Sequence, residues 1–319
     1  MGVIGIELSI LHSTLEVSLP VFAMVFLGAL LKRLGWIDQT FVNTASSLVF
    51  KATMPTLLFL SILQSEPGSA LNLGLVLWYL TISAALFGLI WLWALWRCPR
   101  QERGVYVQGA FRGNCGIVGL ALAANMYGDL GLSLGGIMAG GIIIVNLVLS
   151  AIVLSVYSPV VSSRPLDIVR DVVTNPLIIG IVSALPLAWL DIQLPGWLLT
   201  SGNYFASLSL PLALICIGGS LSLTAARESS ALALSASLWK VIVMPVTGVA
   251  AAIALGYRGA ELGILMLFLA SPTAAVAYVM ARGAGGNERL AASIIMLSTL
   301  ISLLTISAGV LVLKSLALI

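Results

Sequence analysis

The sequence predicts an all-α integral membrane protein of ten transmembrane helices. They fall into two inverted five-helix repeats, with broken crossing helices at positions four and nine. Three observations lead there. Of 319 residues, 60% are hydrophobic and 8% charged, with a mean hydropathy of +1.12; soluble domains run about 45–50% apolar and about 25% charged. Apolar runs of the length that crosses hydrocarbon, about 20 residues, follow one another with short breaks. Prolines and loop signals recur at one offset between the two halves. So few charges cannot cover a water-exposed surface, which excludes a soluble enzyme, a nucleic-acid binder and a secreted disulfide scaffold. The spans of an outer-membrane barrel would instead be short strands of alternating pattern.

Read between charged or Pro/Gly-rich breaks, the spans are roughly 13–31, 41–63, 70–96, 104–127, 131–157, 168–190, 197–222, 231–255, 260–281 and 289–313. Even-numbered connections and both termini carry only Arg258 and Lys314. Odd-numbered connections carry Lys32, Arg33, Arg97, Arg100, Arg103, Arg164, Arg170, Arg227, Arg282 and Arg289. The positive-inside rule puts the odd connections in the cytoplasm and both termini outside a cytoplasmic membrane. Glu7, His12 and Glu16 stand where a signal peptide would be basic, so no cleaved leader is expected.

A shift of 156 residues lays Pro20 on Pro176 and Pro55 on Pro211, the latter pair mid-span in the second helix of each half. With a two-residue slip, Gly128-Asp129 meets Gly286-Asn287, each pair after an interrupted span. Five spans per half require opposite orientations, so residues 13–157 and 168–313 read as inverted repeats, the architecture of secondary transporters.

The stretch Arg112-Gly113-Asn114-Cys115-Gly116 through Gly119 is poor membrane helix, and a break there frees backbone groups that only a protein cavity or a ligand can satisfy. Its counterpart is Ser271-Pro272-Thr273, where Pro272 removes a donor between two hydroxyls. A half-helix starting at such a break aims its positive end at the midplane, which suits an anion. Small residues and prolines also serve close packing alone, but two breaks at corresponding positions favour a binding site. The candidate substrate residues are therefore Arg112, Gly113, Asn114, Gly116, Ser271, Pro272 and Thr273. Asn146 and Thr299, the latter in a polar stripe with Ser298, Ser302 and Thr305, join them from spans five and ten.

Arg112, Lys51 and Lys240 fall inside apolar spans, Arg112 about nine residues or ~13 Å from the cytoplasmic end. They either form an electropositive vestibule that attracts anions, or they serve structure alone, snorkelling to the headgroups or pairing with a neighbouring carbonyl. The structural reading is preferred for Lys51 and Lys240; for Arg112, two residues from Asn114, a pathway role is preferred. No carboxylate lies deep in a span, so coupling to Na+ or H+ would need carbonyls and hydroxyls and is left open. A single histidine, His12, and the scattered Cys98, Cys115 and Cys216 offer no metal-ligand spacing, so neither metal nor cofactor is expected, and the cysteines read as small apolar packing residues. With no HExxH and no nucleophile–base pair, the chain does not read as an enzyme.

Leu27-Gly28 through Lys32-Arg33-Leu34-Gly35-Trp36-Ile37-Asp38, followed by Leu48-Val49-Phe50-Lys51-Ala52-Thr53-Met54-Pro55, resembles the opening of the auxin efflux carrier family, which includes plant PIN exporters and bacterial malate or malonate permeases. Arg112–Gly119 is similar to that family's asparagine-containing crossover, and Ser271-Pro272 to its proline crossover. The resemblance covers essentially the whole chain. It implies a scaffold and homodimerisation domain of helices 1, 2, 6 and 7, and a moving transport domain of helices 3–5 and 8–10. It also implies elevator-type alternating access, with substrate held at Asn114, Pro272 and Asn146. Where plant members carry prolines beside the crossover asparagine and seven residues on, this chain departs from the pattern with Gly113 and Ala121, so the resemblance fixes neither the break geometry nor auxin as the substrate. The expected function is transport of a small organic anion, a carboxylate or auxin-like acid. A sodium-coupled symporter of the bile-acid type is the alternative.

Overall fold

The computed structural model describes residues 2–64, 73–158, 165–190, 192–221 and 230–319, without the side chains of 2–15, 17, 165, 168 and 171. The side chains of Glu7 and His12, and residues Arg164 and Arg227, lie outside the described residues. In chain order the helices are α1 (Gly2–Arg33), α2 (Gln39–Leu63), α3 (Leu73–Arg97), α4 (Arg103–Phe111), α5 (Cys115–Tyr157) and α6 (Pro165–Val173). There follow α7 (Pro176–Trp189), α8 (Gly196–Ser220), α9 (Ala231–Ala254), α10 (Gly259–Ala270), α11 (Val276–Gly283) and α12 (Glu288–Ser315). Six of them, α2, α3, α5, α8, α9 and α12, are long and apolar enough to cross a membrane, and α7 and α10 are shorter apolar helices. Among the described residues there is no strand; the one extended pairing joins Gly113 to Thr273.

Local chemistry sets the boundaries. Asp38 caps α2 by accepting from the Phe41 N–H at 2.7 Å, and Asn287 caps α12 through the Leu290 N–H at 3.1 Å. The run read as one span over 168–190 is two helices. Asn175 ends α6 and caps α7 through the Leu177 N–H at 3.0 Å, while Pro176 contributes no donor and opens α7. Conversely, runs 104–127 and 131–157 share α5, which bends at Gly128, whose φ of 56° and ψ of −133° suit a residue without a Cβ.

Two helices are widened by a π-turn just before a proline. In α2 it spans Val49–Thr53 and in α9 Trp239–Val243. The Met54 and Met244 N–H groups reach back to Val49 and Trp239, relieving the clash that Pro55 and Pro245 would make with the carbonyl four residues earlier.

Helix α1 lies along α8, and α2 along α7. The contacts are backbone to backbone: a Cβ on Gly28 would overlap the Ile215 carbonyl, and one on Gly180 would stand 2.7 Å from the Pro55 oxygen. The remaining long helices form a second packed group, with α3 on α4 and α5, α9 on α10 and α12, and α10 on α5. Polar contacts tie α1 to this group. The Asn125 amide donates to the Glu16 carbonyl at 2.8 Å, and the Ser18 and Ser307 hydroxyls pair at 2.8 Å. All three cysteines are buried and free, as packing residues should be. Burial pushes the Cys98 thiol, just past the end of α3, up to about 11.

Candidate functional site

Both predicted breaks exist, and they meet. Helix α4 stops at Phe111 and α5 starts at Cys115; α10 stops at Ala270 and α11 starts at Val276. Between them Arg112–Asn114 and Ser271–Thr273 run antiparallel as two short extended segments. The Asn114 N–H donates to the Pro272 carbonyl at 2.7 Å, and the Ala274 N–H to the Arg112 carbonyl at 3.0 Å. Four helix ends therefore converge on one crossing.

Helix ends leave backbone groups without intrahelical partners, and in an apolar interior each must find one. The carbonyl end of α4 is satisfied by the Thr273 hydroxyl, which donates to the Gly109 oxygen at 2.8 Å. That of α10 is satisfied by the Ser271 hydroxyl on the Phe268 oxygen at 2.7 Å and by the Lys240 ammonium on the Leu269 oxygen at 2.6 Å. Ser298 on α12 accepts from the Thr273 N–H at 3.0 Å. The N-terminal ends of α5 and α11 aim their positive dipoles at the same place. Asn114 heads α5, yet its side chain makes no capping bond. Beside it the backbone at Gly116 is open: a Cβ there would find only Ile143 Cδ1, at 3.9 Å.

Two of the three cations are buried, and each pairs with a neighbouring carbonyl, the second form of the structural reading. Lys240 is 1% exposed and Arg112 6%. Lys240 does not run to a headgroup. The widened turn of α9 sets it inward, and Gly113 lets it pass: a Cβ at Gly113 would lie 3.0 Å from Lys240 Cε and 3.1 Å from Nζ. Arg112 spends its guanidinium on the Ser150 hydroxyl at 3.0 Å, the Asn146 carbonyl at 3.4 Å and the Met280 sulfur at 2.8 Å. All these partners are neutral. The ion pair Arg282–Glu288, at 3.7 Å, involves neither buried cation. Lys51 stays exposed on α2 and is not brought to the crossing.

A small cavity of about 10 Å³ sits beside the crossing, lined by Tyr79, Ser83, Asn146, Gly113, Lys240 and Phe268. That is room for about one water molecule. A larger opening of about 640 Å³ lies between the ends of α3, α4 and α5 and the α11–α12 turn, with Arg100, Gly104, Tyr157 and Gly286 on its walls.

Of the predicted residues, Arg112, Gly113, Asn114, Ser271, Pro272 and Thr273 form the crossing itself, and Asn146 adjoins it. Thr299 and its neighbour Ser298 both donate back to the Ile295 carbonyl, at 2.7 and 3.1 Å, but it is the Ser298 oxygen that accepts from the crossing, through the Thr273 N–H. Sequence reasoning missed Ser150, Tyr79 and Ser83. Their signal was there in four-residue spacings: Ser150 lies one turn from Asn146, and Tyr79 and Ser83 are one turn apart on an apolar helix.

Apolar helices too long for a soluble core, two of them broken where they cross and backed by buried cations, define a multi-pass membrane protein of the transporter kind. Two segments that overlap by a few residues, 13–162 and 158–308, each match the membrane transport protein family. The chain belongs to that family, that of the auxin efflux carriers. It is similar to an uncharacterized transporter of Methanocaldococcus jannaschii, 25% identical over 309 residues that cover 92% of this chain and 96% of that one. It is likewise similar to an uncharacterized transporter of Methanothermobacter thermautotrophicus, 27% identical over 295 residues, or 91% and 95% of the two chains.

Proposed function

We propose that the protein is a secondary carrier that binds a small organic anion, a carboxylate, at the helix crossing and moves it across the cytoplasmic membrane by elevator-type alternating access. The observation that carries this is the pair of buried cations, Arg112 and Lys240, whose hydrogen-bond partners are all neutral. A buried charge without a counter-charge is strongly disfavoured, so such a site has room, electrostatically, for an anion. The free Asn114 side chain and the open first turn of α5 supply directed donors for it.

Ten spans in two inverted repeats are the topology of this reading. Its support is the family match falling twice along the chain and helix within each of the ten apolar runs. The reciprocal packing of α1 on α8 and α2 on α7 adds to it. The offset of 156 also lays Thr53 on Ser209, and both are fully buried. The α1, α2, α7 and α8 group is the scaffold and homodimer surface of this scheme; α3–α5 and α9–α12 move. In this reading the lysine- and arginine-rich connections are cytoplasmic, so the 640 Å³ opening, which they border, faces the cytoplasm and both termini lie outside. The small cavity at the crossing is then the collapsed substrate site, which refills when a carboxylate enters. The sodium-coupled alternative finds less support, since an ammonium, Lys240, already bonds the carbonyl end of α10 at the crossing and would repel a second cation there.

Asn114→Ala tests the site. A hydrogen bond to a charged ligand contributes about 1.5–3 kcal/mol, so the variant is expected to bind a carboxylate found by thermal-shift screening about tenfold more weakly or worse. In proteoliposomes its flux should fall in step. Wild-type affinity and flux in Asn114→Ala would remove the crossing from the substrate's path.

A further inference from the structure

We infer that the carrier works as an anion exchanger, because an empty site leaves two buried cations uncompensated and the transport body then crosses the membrane slowly. The inference rests on the carrier reading above and adds a mode of transport to it. Lys240 has three N–H donors and gives one to the Leu269 carbonyl. Arg112 gives its Nη1 to a hydroxyl, a carbonyl and a thioether. The carbonyl end of α10 offsets at most about half a charge, and the N-terminal ends of α5 and α11 add positive potential. The site thus keeps donors to spare and carries an electrostatic excess that an anion removes.

The cations also travel with the site. Lys240 is on α9, Arg112 lies between α4 and α5, and their partners are on α5, α10 and α11, all in the packed group that includes α12. In an elevator these charges must cross the hydrocarbon with or without cargo. Loaded, the body carries its own counter-charge. Empty, it moves bare cations through a medium that penalises them. The empty return is then the slow step, and an anion on the far side that takes the return journey removes it. Two cations match a dicarboxylate better than a monocarboxylate. Malonate, a small dicarboxylate, is therefore the probe, with acetate as its singly charged comparison.

The experiment is uptake of radiolabelled malonate by proteoliposomes holding internal malonate or buffer alone. Internal malonate is expected to raise the initial rate about tenfold or more, with a smaller gain for the acetate pair. Lys240→Met, and separately Arg112→Gln, should bring the two rates closer by speeding the empty return relative to the loaded one. Equal wild-type rates with and without internal anion overturn exchange and leave a uniporter. A Lys240→Met or Arg112→Gln protein that is folded, takes up malonate and keeps the wild-type ratio overturns the charge argument. Uptake of neither malonate nor acetate in either mode sinks the carboxylate-carrier reading itself.

Discussion

Gly113→Val is expected to abolish anion flux and to lower the melting temperature of the purified protein. The first carbon of any side chain at this position would stand 2.8 Å from the Ser271 hydroxyl and 3.0 Å from Lys240 Cε. Ser271 and Lys240 are the two groups that satisfy the carbonyl end of α10, so both bonds must stretch to make room. Overpacking alone costs about 1–3 kcal/mol, and each buried carbonyl left short of its donor adds about 1–3 kcal/mol. Differential scanning fluorimetry and proteoliposome flux check the two halves of the expectation. Gly116→Ala is the control, since its Cβ meets only Ile143 Cδ1 at 3.9 Å; it should fold normally and impair flux by narrowing the anion's approach. A Gly113→Val protein as stable and active as wild type would mean that Lys240 does not lie against this backbone.

Arg112→Met is expected to weaken carboxylate binding about tenfold or more while leaving a folded protein. Methionine keeps an apolar stem of similar reach but discards the charge, along with the bonds to Ser150, Asn146 and Met280 that tie the break to α5 and α11. Arg112→Lys returns the charge without the planar fork, so its affinity should lie between the two. Calorimetric titration with malonate orders the three proteins. If Arg112→Met binds as tightly as wild type, the guanidinium serves packing alone and the anion looks elsewhere for its counter-charge.

The helices and both breaks were legible in the sequence because hydrocarbon tolerates so little. A glycine–amide–cation run at 112–119 and a Ser-Pro-Thr at 271–273 cannot continue a membrane helix cheaply, so their positions announce themselves. What was not legible is direction. Lys240 carries the same stem whether it reaches a headgroup or a helix end. Only the widened turn before Pro245 and the missing side chain at Gly113 send it to Leu269. The choice between Ser298 and Thr299 is similar: neighbours on a helix point about 100° apart, and the rotation of α12 is fixed by what it packs against. The split of run 168–190 at Asn175-Pro176 was readable from capping chemistry but lost under the continuous apolar signal around it.

The most direct test is an electron cryomicroscopy map of the protein saturated with malonate, read for where the added density falls. The account predicts carboxylate density within hydrogen-bonding distance of the Asn114 amide and the Lys240 ammonium, at the junction of the four helix ends. Density confined to the opening beside Arg100, or a crossing that stays empty under saturating malonate, would contradict it.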